Sequence, residues 1–233
     1  MTTLLLVRHG LTAMTGPVLA GWTPGVRLDE RGRAQAAALA GRLAPVPLAA
    51  VVASPLERCV ETAEAVAGDR SGRAGKVETD ERFGEVRYGD WTGRPLKELA
   101  EEPLWRTVQA HPSAVRFPGE GGEAMAAAQH RAVAAVRDWN ERIAAEHGAD
   151  AAYLVCSHGD IIKAVVADAL GLHLDQFQRV QADPASLTVV RYTELRPFVV
   201  RLNDVGGDVG GLLPPPPGES GSGSSDAVVG GGA

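Results

Sequence analysis

Only 5% of this 233-residue sequence is aromatic, and cysteine occurs just twice, as Cys59 and Cys156. With few rings and abundant alanine, much of the core packing falls to small helix-forming side chains. Two thiols in apolar or helical surroundings make no disulfide framework, which favours a reducing cytosol and a cytoplasmic protein. A basic excess is missing as well: 23 Lys and Arg face 29 Asp and Glu, for a net charge of -6. Nucleic acid and anionic membranes are therefore not expected partners, since such ligands are usually met by a surplus of cations. Long apolar runs are also absent. The run Leu4 to Val7 stops at Arg8, too short for a secretory core, and a bilayer span needs about 18 apolar residues.

What is present alternates between strand-like and helix-like segments. TTLLLV and LAAVVA (near 48–53) are short apolar runs, as is AAYLVCS, and each reads as a buried strand. Asp29 precedes ERGRAQAAALAGRL, whose small and apolar positions recur at helical spacing, so Asp29 is the expected N-cap. Ser54-Pro55-Leu56-Glu57 has the pattern of a capping box with proline at the first helical position, which predicts a helix from Ser54 to about Ala67. A short strand is expected over 76–79, a Gly-punctuated loop over 81–94, and helices over 95–109 and 123–147, the second closed by Gly148. Asp160 can cap the helix IIKAVVADAL, which Gly171 ends, and SLTVVRYT with PFVVRL forms a closing hairpin. The expected fold is α/β: a three-layer sandwich with a largely parallel central sheet flanked by helices and a C-terminal hairpin. Residues 1–204 make one domain. From 205 to 233 the composition turns to Gly, Pro and Ser, including LLPPPPGESGSGSS, which predicts a disordered tail.

Three strand ends carry chemically capable groups: Arg8 with His9, Ser54 with Arg58, and Ser157 with His158. In an open α/β sheet the ligand site lies beyond the carboxyl ends of the strands, so these groups have a common place to meet. Arginine forks match phosphate oxygens, and a helix start favours an anion. Taken singly, each residue has a bland reading, a hydrogen-bonded structural histidine or a solvated arginine. Taken together the bland reading weakens, because core strands have no packing reason to finish in Arg-His-Gly or Ser-His-Gly.

VRHGLT, SPLERCVETA, FGEVRYGDWTG and VCSHGDIIK, in that order, resemble the histidine phosphatase (phosphoglycerate mutase-like) superfamily, phosphatase branch, over roughly residues 4 to 203. The resemblance implies a phosphatase that hydrolyses a small phosphate monoester through a phosphohistidine. It makes His9 the nucleophile, sets Arg8, Arg58 and His158 to hold the phosphoryl oxygens, and makes Glu85 the proton donor. Thr12 is placed for a hydroxyl contact, with a turn-stabilising role as its rival. No cofactor and no metal are implied, and His111, His130, His147 and His173 are scattered. The sequence departs from the family at Thr15, where asparagine is frequent, and at Lys163, where arginine is commoner and a helix-surface charge is the expected role. Trp22, Arg27, Arg87 and Trp105 are candidates for the mouth of the site. A phosphomutase is the main alternative, followed by a catalytically silent module binding a phospho-ligand. The expected partner is a small-molecule phosphate ester, and an edge strand from the final hairpin could support a homodimer.

Overall fold

Strand residues alternate between two apolar layers, and this alternation builds the molecule. In the computed structural model, which describes residues 1–68 and 70–207, β1 (Thr2–Arg8) points Leu4 and Leu6 to one face and Leu5 and Val7 to the other. The strands β2 (Leu48–Ala53) and β4 (Ala151–Ser157) repeat the pattern, with Ala50, Val52, Tyr153 and Val155 on the first face and Val51, Ala53, Leu154 and Cys156 on the second. Helices α1 (Glu30–Leu43) and α2 (Glu57–Ala67) pack together and cover the second face. The first face is covered by α5 (Met125–His147) and α6 (Gly159–Ala169).

The six-stranded sheet runs in the order β3 (Val77–Thr79), β2, β4, β1, β5 (Leu187–Tyr192), β6 (Pro197–Asp204). The first four of these strands are mutually parallel, and the closing hairpin adds β5 and β6 antiparallel. The expected three-layer α/β architecture is therefore the observed one. Register decides where the site can lie: Arg8 pairs with Ser157, and Ala53 pairs with Cys156. Immediately beyond, His9 N donates to Ser157 O (3.0 Å) and Ser54 N donates to Cys156 O (2.9 Å). Three carboxyl ends thus finish level on one edge of the sheet.

Helix ends were decided by what else their side chains could reach. Asp29 caps α1 as expected, its Oδ1 accepting from Gly32 N at 2.7 Å. The Ser54 capping box does not form. Ser54 N is already taken by Cys156 O, its hydroxyl lies 2.7 Å from Nε2 of His158, and Glu57 accepts from Gly25 N instead. The helix consequently starts at Glu57 with Leu56 as N-cap. The single helix expected over 95–109 is two, α3 (Leu96–Leu99) and α4 (Pro103–Ala110). Pro103 has no N–H to continue the first helix and holds Glu102 extended, at ψ 139°. Asp160 does not cap α6 either; His158 holds the cap position, and the Asp160 carboxylate accepts from the Tyr88 hydroxyl. Gly148 closes α5 at φ 84°, a left-handed conformation that glycine adopts without strain. No helix among the described residues is long and apolar enough to cross a membrane. The Gly/Pro/Ser-rich stretch expected to be disordered lies, from 208 onward, outside the described residues.

Candidate active site

The turn after β1 sets His9. Its Nδ1 lies 2.8 Å from Gly10 O, and the other ring nitrogen, Nε2, lies 3.3 Å from Nε of Arg58. A carbonyl can only accept and a guanidinium can only donate, so the proton sits on Nδ1 and the lone pair on Nε2. Burial, then the charges of Arg58 and Arg8, hold this imidazole well below its ordinary pKa of 6.5, against the opposing pull of the Gly10 hydrogen bond. The ring is neutral by construction. Gly10 N donates to Thr62 Oγ1 (3.1 Å), which ties the turn to α2.

Two arginines flank that ring. Arg8, at the end of β1, is 2% exposed and donates through Nη1 to Ala182 O at 2.8 Å. Arg58, in the first turn of α2, is equally buried, and its Nη2 donates to Gly21 O (2.8 Å) and to Nδ1 of His158 (3.2 Å). Its Nη1 is buried with no hydrogen-bond partner among the described residues. Such a donor carries a desolvation cost that an anion's oxygen would remove. Burial lowers the pKa of Arg8 from its ordinary value, yet arginine keeps its proton at any working pH.

His158 stands at the end of β4 with 0% exposure. Because Arg58 donates to its Nδ1, its proton lies on Nε2 and is directed at Ser54 Oγ. Burial, followed by Arg58, His9 and Arg8, pushes its pKa well below 6.5. The His9 and His158 rings meet edge to face, with centroids 5.3 Å apart.

Glu85 enters from a loop between two short 3₁₀ turns, Glu81–Phe83 and Gly89–Trp91. It is 4% exposed; Oε1 accepts from Val86 N at 2.9 Å, and Oε2 lies 4.0 Å from Nδ1 of His158. Burial and the nearby Asp160 carboxylate push its pKa up to about 7, with the Val86 N–H and the two arginines pulling the other way. Such a carboxyl holds or yields a proton near neutrality. Trp22 Nε1 (2.6 Å) and Arg131 Nη2 (3.0 Å) both donate to the Glu85 carbonyl, and Ser157 Oγ donates to Phe83 O at 2.7 Å. The loop is thereby pinned to the cup.

Arg8, His9, Thr12, Arg58 and Glu85 line one cleft together with Met14, Thr15, Val18 and Leu96. His158 is brought to the same place, its Nδ1 in contact with Arg58 and 4.0 Å from Oε2 of Glu85. The Thr12 hydroxyl lies 3.0 Å from that of Thr15 and accepts from Met14 N, the turn-stabilising arrangement, while still facing the cleft. Thr15 also accepts from Thr12 N at 3.0 Å, so it closes this loop. Of the four mouth candidates, Trp22 lies under Glu85 and carries the Arg87 guanidinium 4.1 Å from its ring centre. Arg27 points away, bound to Glu61, and Trp105 packs beside Trp91. Lys163 is not a surface charge. It is 3% exposed, donates to Gln178 Oε1 at 3.1 Å and lies 3.9 Å from Asp160. Among the described residues no group of three or more His, Cys, Asp or Glu is arranged to hold a metal ion. Sequence reasoning missed Thr62, Gly21 and Arg131: the first two act through one hydroxyl and one carbonyl, and Arg131 through a guanidinium that gathers the carbonyls of Arg82, Gly84 and Glu85, and none of the three carries a motif of its own.

Comparison with known proteins gives a consistent set of similarities. The family model described as histidine phosphatase superfamily (branch 1) matches residues 4–205. Phosphoserine phosphatase 1 of Hydrogenobacter thermophilus is 30% identical over 214 residues, covering 87% of this chain and 92% of that protein. A protein of Gloeobacter violaceus named 2,3-bisphosphoglycerate-dependent phosphoglycerate mutase 2 is 28% identical over 184 residues, 78% of this chain and 82% of its own. Among solved structures, Bacillus stearothermophilus YhfR superposes with a TM-score of 0.76 at 30% identity, covering 88% of this chain and 98% of that one.

Proposed function

Because the chain belongs to the histidine phosphatase superfamily, we propose that it hydrolyses a small phosphate monoester through a phosphohistidine on His9. The observation that carries this reading is the tautomer of His9, with Nδ1–H on Gly10 O and the Nε2 lone pair turned to the cup. In the first step that lone pair attacks phosphorus in line, the bond from phosphorus to the leaving oxygen breaks, and Glu85 gives its proton to that oxygen. In the second, water attacks phosphorus, the phosphorus–nitrogen bond breaks, and the Glu85 carboxylate takes the water's proton. Glu85 is then protonated and His9 neutral, as at the start.

Arg8 and Arg58 hold the phosphoryl oxygens and stabilise charge as bonds break, with His158 serving the cup through its contact with Arg58. Thr12 offers a hydroxyl at the wall. Two guanidinium groups supply the charge stabilisation that a metal supplies elsewhere, so turnover without added metal belongs to the same reading. We place the catalytic unit in residues 1–204 and the protein in the cytoplasm, a setting supported by the two free, buried thiols Cys59 and Cys156. The exposed apolar side chains Phe198, Val200 and Leu202 on edge strand β6 support a homodimer, which sedimentation of the full chain tests.

The mutase reading is favoured by the likeness to the Gloeobacter protein. Against it stands the short interval from Glu85 to His158, which leaves little chain to close over a substrate and exclude water. A metal-free screen of phosphate monoesters, with rapid quenching of a labelled substrate and His9→Ala as control, separates the readings. Free phosphate and an acid-labile phosphoenzyme that disappear in His9→Ala are the expected results. Positional isomer without phosphate release selects the mutase, and turnover that survives His9→Ala rules out the mechanism.

A further inference from the structure

Tyr88 lies three residues after Glu85 on the same loop, and its hydroxyl donates to Oδ2 of Asp160 at 2.9 Å. Asp160 lies two residues after His158, in the first turn of α6. This one bond therefore joins the loop that carries the carboxyl group to the helix that begins at the cup, across 72 positions of sequence. Both ends are sealed from water: Tyr88 is 0% and Asp160 1% exposed. Hydrogen bonds to a buried carboxylate are among the stronger ones, and one that loses its partner leaves an uncompensated acceptor.

Each end is braced separately. The Tyr88 ring sits edge to face against Phe117, with centroids 4.9 Å apart. It also closes on Gly21, where an added Cβ would come within 3.0 Å of the ring. The carbonyl of that same Gly21 accepts from Arg58. Asp160 lies 3.9 Å from Nζ of Lys163, one helical turn on, and Lys163 is in turn held by Gln178. Tyr88 thus touches the supports of three working groups: the loop of Glu85, the turn that holds Arg58, and the helix that follows His158. Neither Tyr88 nor Asp160 lines the cleft itself.

We propose that Tyr88 and Asp160 are a positioning pair, whose hydrogen bond holds the Glu85 carboxyl in register with the phosphoryl cup so that it can reach the leaving oxygen. The inference rests on Glu85 being the proton donor. A displaced donor slows only those reactions that need protonation, so the leaving group is the readout: alkyl phosphates depend on it, whereas nitrophenyl phosphate, whose anion is stable, hardly does.

The test compares Tyr88→Phe with Glu85→Gln on an alkyl phosphate and on nitrophenyl phosphate, using the full chain. Tyr88→Phe is expected to lower kcat for the alkyl ester about tenfold, leave nitrophenyl phosphate within about threefold, and leave KM for both unchanged. The double variant Tyr88→Phe with Glu85→Gln should be no slower on the alkyl ester than Glu85→Gln alone, because the pair acts only through that carboxyl. Asp160→Ala, which removes the acceptor from the other side, should give the same split, and it carries the test should Tyr88→Phe fail to fold. Asp160→Asn keeps an acceptor oxygen and, assayed at about pH 5 so that loss of the Asp160 charge near Glu85 matters little, should restore most of the alkyl-ester activity. Equal losses on both substrates, or no loss on either, overturn the pair as a positioning device. If Glu85→Gln itself shows no leaving-group dependence, it is the donor assignment that fails, and the pair fails with it.

Discussion

Nε of Arg58 stands 3.3 Å from Nε2 of His9, and since the guanidinium cannot accept, the contact fixes which ring nitrogen carries the lone pair. Both residues are almost wholly buried, at 2% and 6% exposure. One arginine therefore does two jobs: it orients the imidazole, and it keeps a positive charge where a phosphoryl group would gather negative charge. Replacement by lysine keeps the charge but cannot span His9, His158 and Gly21 together. Arg58→Lys is expected to lower kcat/KM on nitrophenyl phosphate by about a hundredfold or more. Steady-state kinetics checks this, and a loss below about threefold would reduce Arg58 to a bare charge.

The pH profile follows from two opposed displacements. Burial pushes the Glu85 pKa up to about 7, and in the proposed mechanism it must carry its proton to act as donor, so turnover of alkyl esters should fall as pH rises through that value. His9 is held well below 6.5, so it stays neutral through mildly acidic pH and the acidic limb is displaced downward. The optimum for alkyl esters is expected on the acidic side of neutrality. Glu85→Gln should abolish the alkaline limb while slowing the reaction. A plateau extending past about pH 9 for the unaltered protein would remove Glu85 from this role.

Stability should move with the same carboxyl. Its folded pKa, about 7, lies above the ordinary 4.5, so the folded protein keeps a proton that the unfolded chain has released between those values. Its contribution to stability is thus complete at low pH and is lost as pH rises through about 7. At about pH 8 Glu85→Gln should stabilise the fold by about 1 to 3 kcal/mol, while near pH 5 the two proteins should differ little. His9 and His158 act in the opposite sense: their folded pKa values are depressed, so stability is lost as pH falls below 6.5 and toward those lower values. Thermal unfolding across pH checks both slopes. A Glu85→Gln protein less stable than its parent at pH 8 would contradict the burial argument.

The glycine after His9 is required by a backbone approach. A Cβ on Gly10 would stand 2.6 Å from the carbonyl oxygen of Gly32, at the capped start of α1. Gly10→Ala is expected to destabilise by about 2 to 3 kcal/mol and to displace the His9 ring, lowering kcat far more than KM. An alanine variant with unchanged melting temperature and turnover would show that the contact relaxes freely.

Signals confined to a few consecutive residues were legible without coordinates. Short apolar runs announced β1, β2 and β4, Asp29 capped the helix that follows it by accepting from Gly32 three residues on, and the strand-terminal pairs Arg8-His9 and Ser157-His158 announced a site at one sheet edge. What failed were the same kinds of signal in places where a distant partner competed. Ser54 looks like a cap, yet its hydroxyl is claimed by His158, 104 positions away. Asp160 looks like another, yet Tyr88 reaches it from the far loop. Lys163 looks like a surface charge until Gln178 and Asp160 close around it.

Chain order and apolar patterning thus settled where the strands and most of the helices form, because propensity acts within one or two turns, whereas how the helices near Ser54 and Asp160 begin was set by distant partners. Tautomers, raised or lowered pKa values and the bracing of Glu85 were decided only when the parallel strand ends came level. Desolvation and hydrogen bonding depend on which groups share a buried volume, and that is a property of the folded chain rather than of any segment of it.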